Sequence, residues 1–289
     1  MSDPTSAPDP IAVLAALGVH GATAAEPATG GFDTAVWCVT LQGRPHALRL
    51  FRQGQTTRCA RERAAMEIAA ANGVPAPSVH VVGAYHDRPA LVSDWCPGRT
   101  LLAELIARPD RATTLGRLFG QTQAAIHAIP APPALPADWR DAAGPLALHL
   151  PFPPLTPRAL IHLDYHPLNV LTDGARITGV IDWANVRAGD PRADLARTIT
   201  ILRLDVRSHP DLVPPQVMAV LPLFERGWRH GYTQVAGPSA ATDLAPFYAW
   251  AGAAMERDLA GKRSPEFFGR VRAWTERWAA RAGDDPRAR

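Results

Sequence analysis

The sequence predicts an α+β protein, on three observations. Strand-like segments crowd residues 1–95, a single Ala- and Glu-rich helix interrupts them, and beyond Cys96-Pro97-Gly98 almost every segment has helical period. With 289 residues, 47% of them hydrophobic, the chain can bury a sizeable core without disulfide or metal staples.

The segments from Phe32 to Leu41 and from Pro45 to Phe51 read as a hairpin about Gln42-Gly43-Arg44. A helix is expected from Thr56 to Asn72, with Ala60, Ala64, Ile68 and Ala71 on one face and Gly73 and Pro75 as its stop. Ser78 to Tyr85 and Pro89 to Asp94 form a second hairpin across His86-Asp87-Arg88. After the Cys-Pro-Gly break come helices from Leu101 to Arg108 and from Arg111 to Ala128. The Pro-dense stretches 130–136 and 151–157 cannot be helix interiors or central strands. Asp173-Gly174 turns the chain between short strands at Asn169 to Thr172 and Arg176 to Ile181, and helical patterns resume from Pro191.

Composition removes several function classes. The net charge is +3, and Lys262 is the single lysine among 30 basic residues; no basic run carries interleaved aromatics, so no nucleic-acid partner is expected. The acidic, Pro-rich start and the short apolar run from Ile11 to Leu17 fit neither a signal peptide nor a membrane span. Cys38, Cys59 and Cys96 are too widely spaced for a metal or redox motif and fit a reducing, cytoplasmic setting.

Polar groups concentrate beside apolar strands in His162-Leu163-Asp164-Tyr165-His166-Pro167-Leu168-Asn169 and in Ile181-Asp182-Trp183. Asp164 suits a proton acceptor for a hydroxyl. Asn169, five residues on, offers an amide oxygen to a divalent ion, and Asp182 adds the carboxylate that Mg2+ takes alongside substrate phosphates. Asp and Asn also cap turns through their own backbone, which is the ordinary role of these residue types.

The pattern H-x-D-x-x-x-x-N followed by I-D-W resembles the catalytic and metal-binding segments of the aminoglycoside phosphotransferase family, relatives of the protein kinases. The resemblance implies a two-lobed protein-kinase-like α+β fold, with a nucleotide-binding lobe over 1–95, a catalytic and substrate-binding lobe over 96–289, and ATP, or GTP, with Mg2+ between them. It makes Asp164 the catalytic base, Asn169 and Asp182 the Mg2+ ligands, and His162 a brace for the catalytic loop. Asp190 and Asp194 match a second family block, with Asp194 as a structural anchor. In the first lobe Gly30, Gly31 and Thr34 resemble the loop that covers the nucleotide. Arg49 stands at the phosphate-binding Lys position, Glu62 at that of its helix partner, and Asp94 to Cys96 at the hinge that meets the base. Arg49 keeps the charge of that Lys but offers a planar fork. Leu163 stands where the family usually has Gly, and Ala184 where an acidic residue is common.

The expected activity is transfer of the ATP γ-phosphoryl group to a hydroxyl of a small molecule: an antibiotic, amino alcohol, nucleoside or sugar. The partner is that acceptor, and the enzyme is a monomer or homodimer. Relatives that phosphorylate polycationic aminoglycosides hold them with acidic residues of the C-terminal helices. Here residues 201–289 carry ten acidic residues against thirteen basic ones, so a less cationic acceptor is expected, although Asp205, Glu225, Asp243, Glu256 and Asp258 could still build an acidic pocket. The aromatics of that stretch suit helical core. Two other readings compete: a metal-dependent hydrolase using the alternating His162, Asp164 and His166, and a catalytically silent nucleotide-binding regulator.

Overall fold

A computed structural model describes residues 8–28, 34–153, 158–206 and 213–283. The chain divides after Pro97 into two compact units.

In the first unit a helix, α1 (Pro10–Ala16), precedes five antiparallel strands and a second helix. Asp9 caps α1 by accepting from the Ile11 N–H at 3.0 Å, and Pro10 fills the first helical position, where no N–H is needed. Strands β1 (Ala22–Pro27), β2 (Ala35–Leu41), β3 (Arg44–Leu50), β4 (Val79–Tyr85) and β5 (Arg88–Asp94) lie in the order β1-β2-β3-β5-β4. Both tight hairpins turn on two residues of positive φ, Gln42 with Gly43 and His86 with Asp87, the backbone that matches strand twist. Alternation along the sheet buries Trp37, Val39, Leu48, Leu50, Ala90 and Val92 against Val13 and Leu14 of α1. The apolar run at Ile11 to Leu17 is therefore a short helix sealing one face of the sheet.

The second helix, α2 (Thr56–Ala71), has the expected extent, and the face that carries Ala60, Ala64, Ile68 and Ala71 is not its buried one. Its buried residues are Cys59, Glu62, Ala65, Met66 and Ala69, while Ala60 and Ala71 are exposed. Alanine occurs on every side of this helix, so apolar spacing carried no contrast; Glu62, on the buried side, pairs with Arg49 of β3.

The second unit is mainly helical, with α3 (Leu101–Ala107), α4 (Ala112–His127), α5 (Pro191–Thr200), α6 (Pro215–Ala236), α7 (Ala245–Asp258) and α8 (Pro265–Gly283). Two small antiparallel sheets accompany them. One has the order β6-β8-β9, from β6 (Arg99–Thr100), β8 (Val170–Thr172) and β9 (Ile177–Val180). The other pairs β7 (Ala159–Ile161) with β10 (Arg187–Gly189). The Pro-dense stretch 130–136 forms no helix, and ten residues from Trp139 make 3-10 turns. Phe224, Trp228, Tyr232, Phe247, Trp250, Phe267 and Trp274 are buried, as their core assignment required. Among the described residues no helix is long and apolar enough to cross a membrane.

Candidate functional site

The segment between β7 and β8 carries the polar residues singled out by spacing, and strand pairing fixes it at both ends. The His162 ring is buried against Trp183, with ring centroids 4.7 Å apart. Its Nδ1 accepts from the Asp164 N–H at 3.3 Å and its Nε2 donates to the Ile181 carbonyl at 3.1 Å. Burial lowers its pKa, consistent with a neutral Nε2–H tautomer tying the start of the loop to the end of β9.

Asp164 and Asn169 are brought together. The Asn169 amide Nδ2 donates to the Asp164 carbonyl at 2.9 Å and to its carboxylate Oδ2 at 3.2 Å. His166 Nε2 lies 3.1 Å from the same amide nitrogen and 3.6 Å from Asp164 Oδ1. Burial works against the Asp164 carboxylate, but His166, Arg197 and His162 outweigh it and hold its pKa down at about 2. Asp164 is thus an ionised acceptor at neutral pH. Asp182 follows β9 with a left-handed backbone, φ 60°, and the Ile181 N–H donates to the Asn169 carbonyl at 2.9 Å, so backbone pairing links the segments that carry Asn169 and Asp182.

The donor set suits a hard cation that keeps part of its water shell. With its amide nitrogen turned to Asp164 and His166, Asn169 has no hydrogen bond to its amide oxygen from the described residues, and Asp182 contributes a carboxylate. Two oxygen ligands are the usual protein share for Mg2+ beside phosphates. Zinc chemistry on His162, Asp164 and His166 fits poorly, because both His162 nitrogens are engaged by backbone. Among the described residues no cluster of three His, Cys, Asp or Glu has metal-binding geometry.

Behind the loop lies a buried polar network that spacing alone did not reveal. Asp194, wholly buried on α5, accepts from the Leu163 N–H at 2.5 Å, from His127 at 2.9 Å and from Gln123 at 3.3 Å. Gln123 in turn donates to Thr198 at 2.9 Å and accepts from the Trp228 indole at 2.8 Å. Burial opposes the Asp194 charge, yet His127, His162 and the Leu163 N–H lower its pKa. Asp190 caps α5 and holds Arg192 in a buried ion pair at 2.7 Å.

In the first unit Arg49 lies in β3 with its Nη1 2.9 Å from Glu62 Oε1 and its Nε 3.1 Å from Thr34 Oγ1. Glu62 is fully buried and Thr34 nearly so. The Asp94 side chain is exposed, accepting from His80 at 2.7 Å and from the Ser78 N–H at 3.1 Å. Cys96 is buried, and burial pushes its thiol up to about 11, which makes it an inert thiol. Gly30 and Gly31 lie outside the described residues.

A family model for the phosphotransferase enzyme family matches residues 24–151 and 145–237. The chain belongs to this phosphotransferase enzyme family. No curated protein matches the sequence. Among solved structures, a thermostable mutant of the aminoglycoside phosphotransferase APH(4)-Ia, apo form, superposes with TM-score 0.63 at 17% identity, covering 95% of this chain and 99% of that one. A ternary complex of such a mutant with ADP and hygromycin B gives TM-score 0.63 at 16% identity over 94% and 97%. A Plasmodium vivax ethanolamine kinase gives 0.58 at 12% identity over 90% and 83%. At these identities the likeness establishes the protein-kinase-like fold of this phosphotransferase.

Proposed function

We propose that this phosphotransferase moves the γ-phosphoryl group of ATP to a hydroxyl of a small molecule. The observation that carries the reading is the Asp164–Asn169 pair: an ionised carboxylate held by an amide whose oxygen is left for a cation. The neighbours crystallised with ADP or AMP-PNP and hygromycin B support a nucleotide and a small acceptor as substrates. Mg2+ on Asn169 and Asp182 would neutralise charge on the nucleotide phosphates. Asp164 orients the acceptor hydroxyl by accepting its hydrogen bond, and with so low a pKa it takes the proton late, once the oxygen is bonding to phosphorus. Arg49, steadied by Glu62, holds the phosphates.

The charge pattern supports an acceptor that is not a polycation. Asp205 pairs with Arg263 at 3.1 Å, Glu225 with Arg203 at 2.5 Å and Arg229 at 3.0 Å, Glu256 with Arg272 at 2.7 Å and Asp258 with Arg197 at 2.8 Å. Carboxylates already matched by guanidinium groups offer little to several ammonium groups that must be desolvated together. The test is ADP release from Mg-ATP across amino alcohols, sugars, nucleosides and aminoglycosides, with GTP as alternative donor. Turnover is expected with a hydroxylated compound of low positive charge. A kcat/KM of about 10⁴ M⁻¹s⁻¹ or more on a kanamycin-like molecule refutes the acceptor class; no Mg-ATP binding and no ADP release with any acceptor refutes the activity.

Two substitutions separate the roles. Asp182→Ala is expected to weaken nucleotide binding in the presence of Mg2+ as well as the rate; equal Mg-ATP affinity with and without Asp182 in a calorimetric titration removes it as a ligand. Arg49→Met is expected to raise KM for ATP far more than KM for the acceptor, and equal rises would indicate a general folding defect instead.

A further inference from the structure

Leu163 immediately precedes Asp164 and has φ 62°, a left-handed backbone that costs a residue with a Cβ and that glycine adopts freely. Its side chain is buried, so the peptide cannot relax outward. The strained residue is gripped from both sides by one helix. Asp194 accepts from the Leu163 N–H at 2.5 Å, and Arg197 donates through Nε to the Leu163 carbonyl at 3.3 Å. Thr198 Oγ1 donates to the Tyr165 carbonyl at 2.9 Å. Asp194, Arg197 and Thr198 are spaced i, i+3 and i+4 on α5, so they share one helix face, and that face holds the backbone on both sides of Asp164.

Arg197 is the costly member of the set. Its side chain is only 8% exposed, its Nη2 reaches the half-exposed Asp258 at 2.8 Å, and its Nη1 is buried with no partner among the described residues. A buried cation with an unmatched N–H is poor value for stability, since an apolar side chain of similar size is often as stable or more so. Besides its attraction for the Asp164 carboxylate, its hydrogen bond to the loop is the one to the Leu163 carbonyl.

We infer that Arg197 is a positioning residue for phosphoryl transfer: with Asp194 it holds the left-handed Leu163 peptide so that Asp164 stays aimed at the acceptor hydroxyl. This rests on the phosphotransferase reading above for its consequence on rate, but not for the clamp itself. Arg197→Met removes the grip on the carbonyl while keeping apolar volume, and Asp258 is exposed enough to be solvated by water. Leu163→Gly removes the reason for the grip.

The test uses amide hydrogen exchange on the full chain without ligands, together with kcat and KM in the ADP-release assay. Arg197→Met is expected to speed exchange across 160–170 at least about tenfold, to leave exchange in α4 and α6 unchanged, and to lower kcat by up to about 10²-fold with little change in KM for ATP. Adding Leu163→Gly to Arg197→Met is expected to recover at least about fivefold of that loss and part of the protection, because glycine needs no restraint there. Unchanged exchange across 160–170 in Arg197→Met overturns the clamp, as does a Leu163→Gly addition that only deepens the loss. Loosening across the whole second unit assigns Arg197 to the fold and also overturns it. If exchange behaves as expected but the parent protein turns over no acceptor, the clamp stands and the phosphotransfer reading falls.

Discussion

Asp164→Ala is expected to lower kcat by about 10²- to 10⁴-fold, the range that a positioned base contributes, while leaving Mg-ATP affinity nearly unchanged. The substitution is unusually clean for a loop residue. The Asn169 amide also donates to the Asp164 carbonyl at 2.9 Å, and the His162 ring accepts from the Asp164 N–H at 3.3 Å. Both are backbone contacts that alanine retains. What disappears is the carboxylate, with the hydrogen bond it accepts from the Asn169 amide at 3.2 Å and its attraction for His166, Arg197 and His162. The measurement is single-turnover transfer from Mg-ATP beside a binding titration. Turnover within a few-fold of the parent in a folded Asp164→Ala protein removes the carboxylate from the chemistry. A parallel loss of nucleotide affinity would instead make Asp164 part of the nucleotide site.

How much of this was legible in the sequence depended on the distance over which each feature is encoded. The two first-unit hairpins and the turn at Asp173 are local events, written in alternation and in residues that accept positive φ. β7 and β10 have three residues each, too short to show a period, and exist because they pair with one another. β1 reads Ala-Thr-Ala-Ala-Glu-Pro, mostly exposed and poor in β-branched residues; its pairing with β2 makes it a strand. The buried face of α2 is not legible, since a helix rich in alanine on every side displays no stripe to read.

The site follows the same rule. Asp164 and Asn169 meet across five residues within one loop, so their spacing carried the chemistry. Arg49 and Glu62 are thirteen residues apart in a strand and a helix, and only their order in a recognised family pattern singled them out. Arg197, Thr198, Gln123 and His127 support the loop from more than thirty residues away and escaped notice. The available signal was the i, i+3, i+4 run of polar residues from Asp194, which are buried with the rest of the helix from Arg192 to Thr200.

Gly120→Ala is expected to be strongly destabilising, although alanine improves helix propensity by about 1 kcal/mol over glycine. α4 and α6 cross through Gly116 and Gly120 on one side and Gly227 and Gly231 on the other, all four buried. A Cβ on Gly120 would lie 2.7 Å from the Tyr232 N and closer still to the Trp228 carbonyl oxygen. On Gly116 it would lie 2.9 Å from the Trp228 N and would also collide with the Phe224 carbonyl. The obstructing atoms are backbone, which cannot rotate away as a side chain can, so the helices must separate and open the packing around Trp228 and Tyr232. Such overpacking costs about 3 kcal/mol, at the upper end of its usual range, which exceeds the propensity gain. The net loss of about 2 kcal/mol corresponds to a fall in Tm of roughly 4–8 °C. Gly269 on α8 supplies the control, because it is exposed and a Cβ there meets nothing within 4 Å. Gly269→Ala is expected to raise stability by about 0.5–1 kcal/mol through propensity alone. Thermal melts of the two variants decide the matter. If both shift upward, the α4–α6 crossing is looser than its backbone contacts require; if both fall, glycine's effect in this protein is not set by the space around it.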